Sequence, residues 1–189
     1  MSSLSAFNTL FGPRAPQVVA KLLLDEIRFI ANDTTRVDPV EVWSLSCRFG
    51  CKCEDAHKNF IDGHTGIDLR PQTDGHAGDP ILASISGRVT IMKSGQVNTT
   101  TDTRNPGNYA MVTSLDDSTQ THYLHLDEIL VRNRQLVRAG QQIGTMGNTG
   151  YSLGSHQPNP GTHLHFEVRI WNNEEEKYKA INPLIFLGR

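Results

Sequence analysis

Within Thr162 to Ile170, polar and apolar side chains alternate without a break from His163 onward. Leu164, Phe166, Val168 and Ile170 fall on one parity, and His163, His165, Glu167 and Arg169 on the other. A period of two fits a strand with one face on an apolar core and the other toward a cleft or solvent. The segment therefore demands partner strands, because its buried backbone groups must be paired. It also holds two imidazoles side by side on a rigid element, a good platform for a site.

Those partners can be read upstream. Short β-type runs occur at 81–85, 87–92, 108–114, 119–126 and 142–146, and the turn-rich tetrapeptide 115–118 joins two of them. The expected fold is mainly β: an antiparallel sheet domain over 41–189 with a groove walled by loops. Two long glycine-rich loops, 94–107 and 147–161, are candidates for those walls. Residues 1–40 read as an N-terminal extension, irregular over 1–15, with a helix over 16–31. In that helix Val19, Leu22, Leu23, Ile27 and Ile30 recur at helical spacing, and Pro16 suits the first turn. Its apolar face is expected to pack on the main domain, with docking on a partner protein as the alternative.

A chain of 189 residues, 37% of them hydrophobic, supplies the core of one domain. The net charge of −2 gives no electrostatic reason to expect nucleic acid or an anionic membrane as partner. No run of 18 apolar residues occurs, so no transmembrane helix is expected. The first residues lack the basic start and apolar stretch of a secretory signal.

The chemistry lies in three histidine segments: His64-Thr-Gly66-Ile-Asp68, His122-Tyr-Leu-His125 and His163-Leu-His165. Imidazole and carboxylate are both ordinary zinc ligands, and catalytic zinc takes three protein ligands with one position open. His64 and Asp68 sit four apart around Gly66, which leaves room for close backbone approach. One of His163 and His165 would complete the ligand set. The other, with His125, would handle protons or stabilise an oxyanion. Strand parity puts His122 on the face opposite His125, which suggests a structural role. His57 and His76 read as loop residues. The helical His-Glu-x-x-His pattern is absent, and the stretch 144–150 lacks the ending of a phosphate loop.

Three cysteines cluster at Cys47, Cys51 and Cys53, with His57 nearby. They admit a second zinc site with His57, one local disulfide with a leftover thiol, or three reduced thiols. A thiol nucleophile is disfavoured, since nothing in the surrounding sequence would activate it.

The linked motifs resemble those of the lysostaphin/LytM-type zinc endopeptidases, which cut peptides of bacterial cell walls. Phe49-Gly50 precedes the first ligand motif, and His64-Thr-Gly66-Ile-Asp68 matches the family's His-x-Gly-x-Asp. Tyr123-Leu-His125-Leu matches its Tyr-x-His-Leu. The run from Gln141 through Gly147 to Ser152 matches its glycine-rich turn. Thr162-His163-Leu-His165-Phe-Glu follows as its His-Leu-His-Phe-Glu, and Asn182-Pro183 as its closing pair. The resemblance covers roughly residues 44–185. It implies a LytM-like fold of the duplicated-hybrid-motif type. It further implies Zn2+ held by His64, Asp68 and His165, with His125 and His163 as the catalytic pair and a peptidoglycan peptide as substrate. The setting would be the cell wall, whether periplasmic, extracellular or on a phage virion. The competing reading is a non-catalytic LytM-like module that binds or regulates other wall hydrolases. One departure stands out: 155–161 intervenes before His-Leu-His, and His156 within it reads as a loop residue.

Overall fold

The computed structural model describes residues 15–189, apart from 42, 52, 55–59, 62, 72, 74 and 153–158. His57, His156 and residues 1–14 therefore lie outside the described residues. Helix α1 spans Ala15–Asn32. The strands are β1 (Ser44–Cys47), β2 (Cys53–Glu54), β3 (Phe60–Ile61), β4 (Ile67–Arg70), β5 (Pro80–Leu82) and β6 (Gly87–Lys93). They continue as β7 (Asn108–Thr113), β8 (Thr119–Ile129), β9 (Leu136–Val137), β10 (Gln142–Met146), β11 (Leu164–Asn172) and β12 (Lys177–Ile181). A short helix, α2 (Pro183–Phe186), closes the chain, its start capped by the Asn182 side chain.

The expected antiparallel sheet is the architecture. Its main path runs β1-β4-β11-β8-β7-β6-β9, with β12 on β11 and with β10 bridging β8 and β5. Strand β11 is the axis. Its first half is flanked by β4 and β8, in the registers His165↔Asp68 and His165↔Leu124. The alternation read from the sequence holds: Leu164, Phe166 and Val168 are fully buried, with Ile67 and Leu69 of β4 and Tyr123 of β8 on the same core face. Fully burying an aliphatic or aromatic side chain contributes roughly 1.5–3 kcal/mol, so this layer is a main source of stability. The Tyr123 hydroxyl is buried there with its hydrogen bonds met, accepting from Ser84 N–H and donating to Thr121 Oγ1.

Glycine at position 66 is a packing requirement. A Cβ there would lie 2.3 Å from the Phe166 carbonyl oxygen and 3.0 Å from His165 Nε2. Only a bare Cα lets the turn before β4 come this close to β11.

Strand β8 departs from simple alternation. Its register with β7 shifts between Asn108↔Leu126 and Ala110↔Tyr123, and His125 inside the shift has φ 62°. This bulge corrects the parity argument. His122 is opposite Glu167 and shares the sheet face of His165, whereas regular alternation would have sent His125 to the core side with Tyr123. The bulge turns His125 back toward His163, with 4.6 Å between ring centroids.

The expectation for α1 is also corrected. Val19, Leu22, Leu23 and Ile27 are exposed, and among the described side chains of the helix only Ile30 in the last turn is buried. The helix is tied down at that end by Glu26, which pairs with Arg138, while the Arg138 guanidinium lies 4.3 Å from the Phe29 ring centroid. No described helix is long and apolar enough to cross a membrane.

Candidate metal centre

Three lone-pair donors converge from three elements. His64 Nε2 arrives from the turn before β4, Asp68 Oδ1 from β4 and His165 Nδ1 from β11. They lie 3.0 Å (His64 to His165), 2.9 Å (His165 to Asp68) and 3.2 Å (His64 to Asp68) apart. Donors about 2.0–2.1 Å from a tetrahedral zinc stand roughly 3.3 Å from each other, so the triangle is close to the size of one face of that polyhedron. The side chains keep 11, 20 and 12% of their exposure, so the triangle is not sealed from solvent.

The outward ring nitrogens decide which inward atoms carry lone pairs. His64 Nδ1–H donates to the Arg48 carbonyl oxygen at 3.2 Å. His165 Nε2–H donates to Glu167 Oε1 at 3.0 Å. Each ring then offers its bare nitrogen to the centre, the tautomer a metal requires. Glu167 is itself fixed by Thr65 Oγ1 at 2.5 Å and by Arg169 Nε at 2.8 Å. Burial would push the Glu167 carboxyl up, but the bonds from His165 and Thr65 and the Arg169 charge hold it at about 2. Burial likewise opposes ionisation of Asp68, yet hydrogen bonds from His165 and His64 keep it well below the usual carboxylate range. For His165, burial favours the neutral ring, but the bonds to Asp68 and Glu167 raise its pKa to about 9. A divalent ion held by these three donors would displace any proton shared between them.

Two further histidines flank the triangle. His163 Nδ1–H donates to the Gly161 carbonyl oxygen at 2.7 Å, with Ser152 Oγ at 3.2 Å, and its Nε2 stands 3.8 Å from Asp68 Oδ1. His125 Nδ1–H donates to the Thr149 carbonyl oxygen at 2.8 Å. Burial lowers the His125 pKa to about 3, and burial lowers that of His163 as well. Both rings are therefore neutral near pH 7 with bare Nε2 atoms.

Their supports come from the two long loops, which zip together. Thr99 N–H donates to the Gly150 carbonyl and Gly150 N–H to that of Val97, while Asn98 Nδ2 reaches the carbonyls of Asn148 and Ser152. Asn108 N–H donates to Thr149 Oγ1, which donates to the Leu126 carbonyl. The carbonyls that aim His125 and His163 thus belong to a cross-braced wall.

The structure thus brings together all five residues singled out in the sequence, His64, Asp68, His125, His163 and His165. His122 stays out of the donor triangle: its ring bonds to the Tyr109 hydroxyl and is 3% exposed. His76 is on the surface, paired with Asp79 at 3.1 Å. Of the alternatives for the cysteines, the structure joins Cys47 to Cys51 in a disulfide. Sequence reasoning missed Glu167 and Thr65 as supports of His165. The signal for Glu167 was present, since it stands two residues beyond His165 on the same strand face.

The comparisons with known proteins agree with this architecture. The chain is 38% identical over 125 residues to the murein hydrolase activator NlpD of Escherichia coli, covering 66% of this chain and 26% of that protein. It is 36% identical over 121 residues to the peptidoglycan DD-endopeptidase ShyB of Vibrio cholerae, covering 64% of this chain and 24% of that one. The chain thus spans about a quarter of the length of these curated relatives. Among solved structures, the catalytic domain of the antimicrobial peptidase lysostaphin from Staphylococcus simulans superposes with TM-score 0.56. That match has 24% identity and covers 78% of this chain and 93% of that one. A zinc containing peptidase from Vibrio cholerae superposes with TM-score 0.52 and 27% identity, over 77% of this chain and 37% of that one. Residues 62–183 match the sequence profile of Peptidase family M23, and the chain belongs to that family.

Proposed function

We propose that this protein is a zinc-dependent endopeptidase that hydrolyses peptide bonds of bacterial peptidoglycan, in a stem or cross-bridge, at the cell wall. His64, Asp68 and His165 are the metal ligands, and His125 and His163 are the catalytic pair. The observation that carries this reading is the donor triangle with two neutral, bare Nε2 atoms beside it. A zinc ion held there would polarise a peptide carbonyl and acidify a water. Asp68 supplies the one negative charge of the ligand set. Glu167, acting through His165, makes that imidazole a better donor. His125 and His163 take the proton from the attacking water, return it to the leaving amine, and as imidazolium donate to the developing oxyanion. The wall built by 94–107 and 147–152 keeps both rings aimed without help from substrate. The endopeptidase ShyB and the zinc containing peptidase among its relatives support the same reading.

A second reading has its own support: a relative at 38% identity carries the name of a murein hydrolase activator. In that case the domain would bind and regulate other wall hydrolases, and the exposed face of α1 would be the docking element. The complete donor set favours the enzyme. The test is zinc stoichiometry measured alongside cleavage of purified peptidoglycan. His64→Ala and His165→Ala are expected to lose both zinc and cleavage. His125→Ala and His163→Ala are expected to keep zinc and lose turnover by about 10²-fold or more. Stoichiometric zinc in His165→Ala would overturn the ligand assignment, and full turnover in His163→Ala would overturn the catalytic pair.

A further inference from the structure

The turn between Cys47 and Cys51 grips the first ligand of the centre. Gly50 N–H donates to the His64 carbonyl at 2.8 Å, and His64 N–H donates to the Cys51 carbonyl at 3.2 Å. The Arg48 carbonyl inside the same turn accepts from His64 Nδ1. The turn also abuts the second ligand. Cys47 is the register partner of Asp68, and Ser46 Oγ donates to the Asp68 carbonyl at 3.1 Å. The ligating atoms of Cys47, Cys51 and His64 all lie within 4.8 Å of one another. Both cysteines are only partly buried, within reach of a solvent-borne reagent.

We propose that Cys47 and Cys51 form a thiol–disulfide modification site whose oxidation state sets the hold on His64, and with it the affinity of the centre for zinc. The reagent is a low-molecular-weight disulfide such as glutathione disulfide. One cysteine thiolate attacks it, forming a mixed disulfide and releasing one glutathione. The second cysteine then displaces the other glutathione. The two protein thiols give up two electrons and two protons, and the two glutathione molecules carry them away. Oxidation closes a loop of three intervening residues around the Arg48 carbonyl and the Gly50 N–H, so the groups that orient His64 lose conformational freedom. Reduction restores that freedom and leaves two sulfur donors beside His64, a second donor group that draws the same imidazole away from the centre.

The inference rests on the metal-centre reading, and its test separates the two. The full chain carrying Cys53→Ser is oxidised with glutathione disulfide or reduced with a phosphine, and bond formation is followed by intact mass as the loss of two hydrogens. Zinc affinity is then read by competition with a chromophoric chelator. The oxidised form is expected to bind zinc about 10-fold or more tightly than the reduced form, reversibly. Adding Cys47→Ser or Cys51→Ser is expected to fix the affinity at the reduced value and abolish the redox response, with the far-ultraviolet circular dichroism unchanged. Equal affinity in the two states, or no loss of two hydrogens, would overturn the redox site and leave the metal centre standing. Absence of zinc binding in both states would overturn both.

Discussion

Glu167 bonds to His165, one of the three proposed ligands, fixes that ring's tautomer and is anchored in turn by Thr65 and Arg169. Glu167→Gln keeps the shape and the acceptor but removes the charge. Zinc affinity is expected to fall about 10- to 100-fold with the fold intact, measured by chelator competition. Unchanged affinity would show that the carboxylate is only a packing element. His122 bears on stability instead. Burial and the Arg169 charge lower its pKa to about 4, against about 6.5 for an unfolded histidine. Between these values the unfolded chain binds more protons, so stability rises with pH across that window. The contribution is present above about pH 6.5 and is lost as the pH falls through 4; its ceiling is of order 3 kcal/mol. Denaturation of the wild type and His122→Gln from pH 4 to 7 is expected to give a shallower pH slope in the variant. Identical slopes would remove His122 from the linkage.

At the scale of elements, what could be read early depended on whether one strand or two decided the outcome. The alternation of β11 was plain in the sequence because a single face meets the core, and the five site residues followed from motif and spacing. The bulge in β8 was not legible, because it arises where β7, β10 and β11 impose different registers on one strand. Parity then put His122 and His125 on opposite faces, whereas the bulge turns His125 back to the face that carries His122 and His165. The bracing of 94–107 against 147–152 was hidden for a similar reason: its bonds join backbone groups that no local pattern marks. The exposed face of α1 escaped because helical periodicity reports an apolar stripe without saying what covers it. Gly66 was legible, and it yields a direct test. Gly66→Ala would drive a methyl into the Phe166 carbonyl, whose strand carries His165. The variant is expected to lose about 1–3 kcal/mol of stability and to bind zinc more weakly. Wild-type unfolding midpoints and zinc affinity in that variant would refute the close-approach argument.

Across the whole molecule, the centre is a product of topology. His64 and His165 are 101 positions apart in the chain, and their nitrogens meet at 3.0 Å because the turn that carries His64 leads into β4, which pairs with the first half of β11. The core face of this sheet provides stability, and its opposite face presents the donors beside the wall that the two braced loops form. With the two faces separate, losing a donor would spare the core beneath it. The most direct measurement is mass analysis of fragments from purified peptidoglycan incubated with the zinc-loaded chain, the metal-stripped chain and the His163→Ala variant. The account expects new free amino and carboxyl termini at one kind of peptide bond from the zinc-loaded protein alone. Intact peptidoglycan after incubation with the fully zinc-loaded chain, across walls of differing cross-bridge, would contradict it.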